Sequence, residues 1–183
     1  CVYFKPYAAC RYTHPAIEAA LQIRASHQIN FEMIESIQVR TYELAVKHHD
    51  HTNISNVSSA KMSIPFSVAV ALAKGQAGIG EYTETTVANP MLKNLTSKVQ
   101  VTPDGRWTRT FPGKTGADVT VIMADGRQQI AEIDMPKGEP DNPLSDAELN
   151  AKFDSLAQFR GLTATEIASL EAAVWNLPSS AME

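Results

Sequence analysis

The sequence predicts an α+β fold: a domain of antiparallel sheet and packed helices, followed by two C-terminal helices. Three observations carry this. Residues 34–42 set the β-branched Ile37, Val39 and Thr41 at every second position, with Gln38 and Arg40 between them, which is the alternation of a half-buried strand. Residues 98–134 break into short extended runs around Ala124-Asp125-Gly126-Arg127, whose Asp-Gly pair marks a tight hairpin turn. Near the C-terminus, Ser145-Asp146-Ala147-Glu148 and Thr163-Ala164-Thr165-Glu166 are capping boxes, each opening a helix.

In chain order, residues 2–7 (VYFKPY) read as a short strand ending at Pro6. Thr13 as N-cap and Pro15 near the first helical position open a helix to about His27, with Ile17, Ala20, Leu21 and Ile23 on its apolar side. After the strand at 34–42, residues 47–58 are rich in His, Asn and Ser and read as a loop. Ser58–Lys74 reads as one helix, buried along Val68–Ala73, kinked or interrupted at Pro65 and closed by Gly75. A short helix follows near Pro90–Ser97. Residues 98–102, 107–111, 118–123 and 129–133 then read as antiparallel strands, and PKGEPDNPL (136–144) as a connector. Two helices complete the chain, to about Phe159 and about Leu177. The expected division is an α+β domain over 1–140 and a C-terminal helical segment over 141–183.

Composition excludes several partners. The hydrophobic fraction is 44% and the charged fraction 20%, ordinary for a globular chain. A net charge of -4 favours neither nucleic acid nor an anionic membrane. No apolar run approaches the roughly 20 residues that span a bilayer. Two cysteines, Cys1 and Cys10, are too few for a disulfide framework or a CxxC-type zinc site, which points to a reducing, cytoplasmic setting. The chain opens at Cys1 on a strand-like run, so a fragment, or a subunit encoded or processed separately from a partner, is expected.

The tract Lys5-Pro6-Tyr7-Ala8-Ala9-Cys10-Arg11-Tyr12-Thr13-His14 sets two cations, a thiol and an imidazole at a helix start, where unpaired N–H groups favour anions. Such a place suits a carboxylate of a di- or tricarboxylic acid, with Arg11 placed to grip it bidentately. The alternative is a solvated Lys and Arg beside a capping His. Cys10 is either a thiolate nucleophile or a small core thiol. His48-His49-Asp50-His51 resembles a metal tract, but no second ligand cluster is spaced to complete a site, so no metal is expected. Gly113-Lys114-Thr115 is the tail of a phosphate loop without its leading glycine, since position 108 is Thr108, and without a following helix. Ser63 has no nucleophile elbow around it.

Three blocks, KPYAACRYTHPAIEAAL, SSAKMSIPFSVAVALAKG and PKGEPDNPLSDAELNAKF, resemble in order and spacing the C-terminal portion of MmgE/PrpD-family proteins. The family includes 2-methylcitrate dehydratase, cis-aconitate decarboxylase and iminodisuccinate epimerase. The resemblance implies a small α+β lid over a large all-helical domain, to which the C-terminal helices of this chain would belong, with the active site between them and no cofactor. Its substrate would be a small polycarboxylic acid, and its proton-handling Asp and His residues would lie mostly in an N-terminal helical part outside this chain. The assembly it implies is a homodimer. Carried over by position, Lys5 matches a lysine implicated in holding substrate carboxylate, and His14 matches the histidine closing that block; these are the expected catalytic residues. Cys10 falls where some decarboxylase relatives have histidine, which argues against decarboxylation. Phe66 falls where some relatives have tyrosine, so a hydroxyl role there is in doubt, and Lys61 lies where a polar or basic residue is usual. With Lys5 and Arg11, these residues make the expected substrate-binding set.

Two functions follow. The first is the lid part of a lyase or isomerase, 2-methylcitrate dehydratase-like and inactive alone. The second is a non-catalytic module that docks onto a helical partner through Ile167, Leu170 and Trp175.

Overall fold

The computed structural model describes residues 2–177; Cys1 and the last six positions of the expected helical segment, 178–183, lie outside the described residues. The chain divides into two compact units between Pro143 and Leu144, three residues beyond the expected boundary.

The first unit is built on a four-stranded sheet in the order β2-β1-β3-β4, from β1 (Ile34–Thr41), β2 (Val99–Pro103), β3 (Ala117–Met123) and β4 (Gln128–Ile133). β1 shows the expected alternation, with Ile34, Ile37, Val39 and Thr41 buried and Glu35, Gln38 and Arg40 exposed. The expectation of a wholly antiparallel sheet is corrected. β3 runs antiparallel to both β1 and β4, with Val39 opposite Val119 and Val119 opposite Ala131, but β2 runs parallel to β1, with Ile37 opposite Val99. The reason is the long helical crossover between β1 and β2, the kind of connection parallel neighbours need.

Helix α1 (His14–Ser26) packs on β3 and β4 and on the core helix α4 (Ile64–Lys74). Every residue of α4 from Ile64 to Leu72 is buried, as an all-apolar helix requires. The helix expected over 58–74, kinked or interrupted at Pro65, is interrupted two residues earlier, giving α3 (Val57–Met62) and α4 with Ser63 extended between them. Ser63 is the N-cap of α4: its Oγ accepts the Phe66 N–H at 3.1 Å and donates to the His51 carbonyl at 2.6 Å. Pro65 therefore sits in the first turn, where its missing N–H has no partner to lose. Residues 47–58 are not one loop, because α2 (Glu43–His49) covers their start and α3 their end. Helices α5 (Glu84–Ala88) and α6 (Pro90–Ser97) complete the crossover, and the Asn89 side chain caps α6.

Two expected strands are not strands. Residues 105–110 form α7 (Gly105–Thr110), whose N-cap Asp104 accepts the Arg106 N–H at 2.7 Å. The alternating Trp107-Thr108-Arg109-Thr110-Phe111 pattern mimics a strand, and the local cap overrides it. α7 is pinned by Trp107, fully buried, whose Nε1–H donates to Asp118 on β3 at 3.1 Å. Buried Asp118 also accepts from Arg40 at 2.8 Å and Arg106 at 3.1 Å, so three donors satisfy one carboxylate. The Trp107 ring lies where a Cβ at Gly116 would be, 2.1 Å from it, so only glycine fits there. Residues 2–7 likewise make no strand; Phe4 N–H donates to the Gly138 carbonyl at 3.0 Å. Gly138 has φ +92°, and a Cβ there would fall 1.8 Å from the Phe4 carbonyl oxygen.

The second unit is a helix pair, α8 (Asp146–Arg160) and α9 (Ala164–Trp175), and both capping boxes form as expected. Gly161, at φ +95°, closes α8. Trp175 donates to Asn150 at 3.3 Å across the pair. Ile167 is buried, while Leu170, Val174 and Trp175 are exposed. No helix among the described residues is long and apolar enough to cross a membrane.

Candidate active-site surface at the start of helix α1

Residues 8–13 are fixed before they meet any ligand. Ala8 N–H donates to the Ala77 carbonyl at 3.1 Å and Cys10 N–H to the Lys61 carbonyl at 2.8 Å. Thr13 does not cap α1 with its side chain; its Oγ1 donates to the Cys10 carbonyl at 2.8 Å and closes a short 3-10 turn over Arg11–Thr13. The turn throws successive side chains into different surroundings.

Lys5 is exposed and makes no ion pair among the described residues, although its charge is felt by His14. Arg11 is largely buried. Its Nη2 bonds Glu139 and donates to Thr115 Oγ1 at 3.3 Å, and its guanidinium lies 5.2 Å from the centre of the Tyr3 ring. The carboxylate that Arg11 grips here is thus the protein's own. Its Nε and Nη1 are buried without a partner among the described residues, as is the Tyr42 hydroxyl. Burial pushes the Tyr42 phenol up, partly offset by Arg11, so it stays a neutral donor. Tyr42 stacks on Phe111 at 4.6 Å, and Tyr12 meets it edge-on at 5.9 Å.

His14 is fully buried, and its Nε2 donates to the Ala9 carbonyl at 3.3 Å. Burial, then the Arg11 charge, hold its pKa down to about 3, against a small opposing pull from the Ala9 carbonyl. His14 is therefore a neutral imidazole at any working pH. Its folded value lies below the ordinary 6.5, so between about 3 and 6.5 the unfolded chain binds the extra proton. Stability should be complete above that window and fall by a few kcal/mol as pH drops through it, since each tenfold difference in proton affinity is worth about 1.4 kcal/mol. Chemical denaturation from pH 7 to pH 4 checks this; the same scan on His14→Gln should be flatter.

Cys10 faces a second imidazole. Its Sγ lies 3.9 Å from His49 Nε2, while His49 Nδ1–H donates to the Met62 carbonyl at 2.7 Å. The Met62 bond fixes the tautomer, leaving the Nε2 lone pair toward the thiol. His49 is buried, and burial lowers its pKa. In the rest of the histidine tract, the His48 ring meets His49 edge-on at 6.3 Å and His51 bonds Ser59. No group of three or more potential metal-ligating side chains occurs among the described residues.

Of the remaining expected site residues, Lys61 is half-buried and holds Cys10 through its carbonyl. Phe66 is buried and lines a different cavity, with Thr52, Asn53, Ile54, Val87, Lys93 and Thr96. Cys10, Arg11 and His14 are thus neighbours along the chain at the start of α1, but their side chains part, to His49, Glu139 and the Ala9 carbonyl in turn. Sequence reasoning misses Tyr42 and Glu139, and reads His49 only as part of a metal tract, not as the neighbour of Cys10. Glu139 sits in a Pro-rich connector with no signal of its own, whereas the helical run 43–49 is a signal that could have found His49.

Residues 7–177 match the family model described as the MmgE/PrpD C-terminal domain. Over 121 residues the chain is 30% identical to the protein described as "Probable 2-methylcitrate dehydratase" of Saccharomyces cerevisiae (strain ATCC 204508 / S288c). That match covers 62% of this chain and 23% of the yeast protein, so the chain spans only a fraction of that relative's length.

Proposed function

The chain belongs to the MmgE/PrpD family, and on that premise we propose that it is the C-terminal lid part of a lyase or isomerase acting beside a carboxylate of a small polycarboxylic acid, in the manner of a 2-methylcitrate dehydratase. The observation that carries this is the family match over residues 7–177. The exposed ammonium of Lys5, a few residues before a turn held by backbone hydrogen bonds, supports it.

Removing a proton next to a carboxylate builds enolate charge, and fixed cations stabilise that charge most where water is excluded. In this reading Lys5 is the catalytic cation, meeting a substrate carboxylate when the lid closes. Arg11, already neutralised by Glu139, contributes position more than free charge. Cys10 lines the substrate side with its thiol turned to His49. His14, neutral and buried, acts as a positioning residue that holds the Ala9 carbonyl and so the turn bearing Cys10 and Arg11. The proton-transferring groups come from a helical part supplied by the rest of the protein or a partner chain, in a homodimer.

The test is an assay of dehydration, decarboxylation and epimerisation, with the chain alone and with a family helical domain added in trans. Activity only in the mixture is expected. Tight association without activity would favour the second reading, a docking module, to which exposed Leu170, Val174 and Trp175 on α9 lend support.

A further inference from the structure

The sheet of the first unit has two edges, and they are finished differently. β2, at one edge, ends on Pro103 and lies against α2, α4 and α6. Proline and covering helices are ordinary ways of blunting a strand edge against other chains. β4, at the other edge, carries neither proline nor lysine along Gln128–Ile133, and its register with β3 runs without a bulge. α1 lies against β4, and Gln129, Ala131 and Ile133 are partly or fully buried, while Gln128, Ile130 and Glu132 are exposed on the opposite face. Ile130 is 62% exposed, a large β-branched side chain standing open in the middle of an edge strand.

The open backbone groups belong to the same three residues. The Arg127 carbonyl accepts the Met123 N–H at 2.9 Å at the head of the hairpin, and bonded and unbonded pairs alternate from there. Gln129, Ala131 and Ile133 therefore exchange both bonds with β3, and the N–H and C=O of Gln128, Ile130 and Glu132 point outward, where no described residue bonds them. A helix has spare backbone groups only at its ends, so what satisfies this row along its length is another strand. The side chains say which strand. Gln128, Ile130 and Glu132 are complementary to themselves in reverse order. Paired antiparallel about Ile130, each Gln128 amide meets the Glu132 carboxylate of the other copy, and the two Ile130 side chains meet at the centre. Arg106 holds Glu132 by both oxygens at 2.9 Å, which fixes the carboxylate and leaves lone pairs for an amide.

We propose that β4 is a self-association edge: two copies of this chain pair antiparallel through their β4 strands, with Ile130 at the two-fold axis, and join their sheets into one of twice the width. Backbone hydrogen bonds supply the attraction, and the Gln128–Glu132 and Ile130 pairs set the register. The contact is isologous and uses up both open edges at once, so association stops at the dimer and does not run on into a fibre. The interface is independent of the reaction proposed above: a chain that restores no activity in trans still pairs here.

Sedimentation equilibrium and amide hydrogen exchange on the full chain test this. Sedimentation should show a monomer–dimer equilibrium. The amides of Gln128, Ile130 and Glu132 should exchange more slowly as protein concentration rises, while those of Gln129, Ala131 and Ile133 stay slow throughout. Ile130→Lys, which sets two ammonium groups at the axis, should weaken the dimer about tenfold or more. Gln128→Glu sets like charges opposite each other on both sides of the axis and should weaken it about fivefold, whereas Gln128→Lys meets Glu132 with opposite charge and should pair at least as tightly as wild type. Val174→Lys, on the exposed apolar side of α9, should leave the dimer within about twofold of wild type. Residues 128, 130 and 174 are exposed, so the fold does not rest on them, and the exchange pattern needs no variant. A chain still monomeric at about 0.1 mM, exchange at residues 128, 130 and 132 that ignores concentration, or a dimer broken by Val174→Lys and not by Ile130→Lys would each overturn the assignment.

Discussion

Lys5→Ala, made in an enzyme completed by its helical part, is expected to lower kcat by about two to three orders of magnitude, the usual loss when one fixed stabiliser of developing negative charge is removed. The ammonium is exposed and free of ion pairs among the described residues, so no internal partner competes with a substrate carboxylate. Lys5 stands five residues before Cys10, whose N–H is held by the Lys61 carbonyl, so the chain itself keeps it close to that turn. Arg11 cannot substitute, because Glu139 holds it. Lys5→Arg should recover part of the rate, since the charge survives but its shape and reach change. Steady-state kinetics separate the roles. A fall in kcat and kcat/KM together marks an interaction made in the transition state, and a rise in KM alone marks simple binding. Unaltered kinetics in Lys5→Ala would remove this residue from the site.

Glu139→Ala is expected to destabilise the first unit by about 3–5 kcal/mol, the range for stripping one partner from a buried ion pair. The Arg11 and Glu139 side chains are only 10% and 19% exposed. Arg11 already has Nε and Nη1 unpaired, so losing Glu139 leaves the guanidinium only the hydroxyl of Thr115 and the face of Tyr3. Urea unfolding reads the loss as a lower midpoint at unchanged slope. Replacing both partners, Arg11→Met with Glu139→Leu, should restore much of the stability because no buried charge remains. A single mutant as stable as wild type would show that the ion pair holds nothing together.

What can be read in advance follows the range of each interaction. The strand at 34–41, the helix at 90–97 and both terminal helices announce themselves through alternation, an Asn-Pro start and capping boxes, all contained within a few residues. The pairing of β2 alongside β1 depends on a helical crossover that no local pattern encodes. α7 is hidden because its alternating residues fit a strand as well as a helix, and Trp107 reveals its side only when Asp118 and Gly116 are in place. At the site, the cationic tract is legible and its division of labour is not. Lys5 and Arg11 look alike as charges, and only Glu139, 128 positions away from Arg11, makes one structural and leaves the other available. Likewise Cys10 meets His49 across 39 positions, through a helix whose polar end reads as loop.

The bond between Phe4 and Gly138, with glycine obligatory at 138, clasps two distant points of the chain into contact. Everything from residue 4 to residue 138 is therefore a closed ring of polypeptide with a single seam. A cassette that keeps the flanks of this seam, from Tyr3 to Pro143 and so with Glu139 on Arg11, could be circularised or grafted with a short bridging chain, because the chain on either side of the seam departs from one spot rather than from opposite poles.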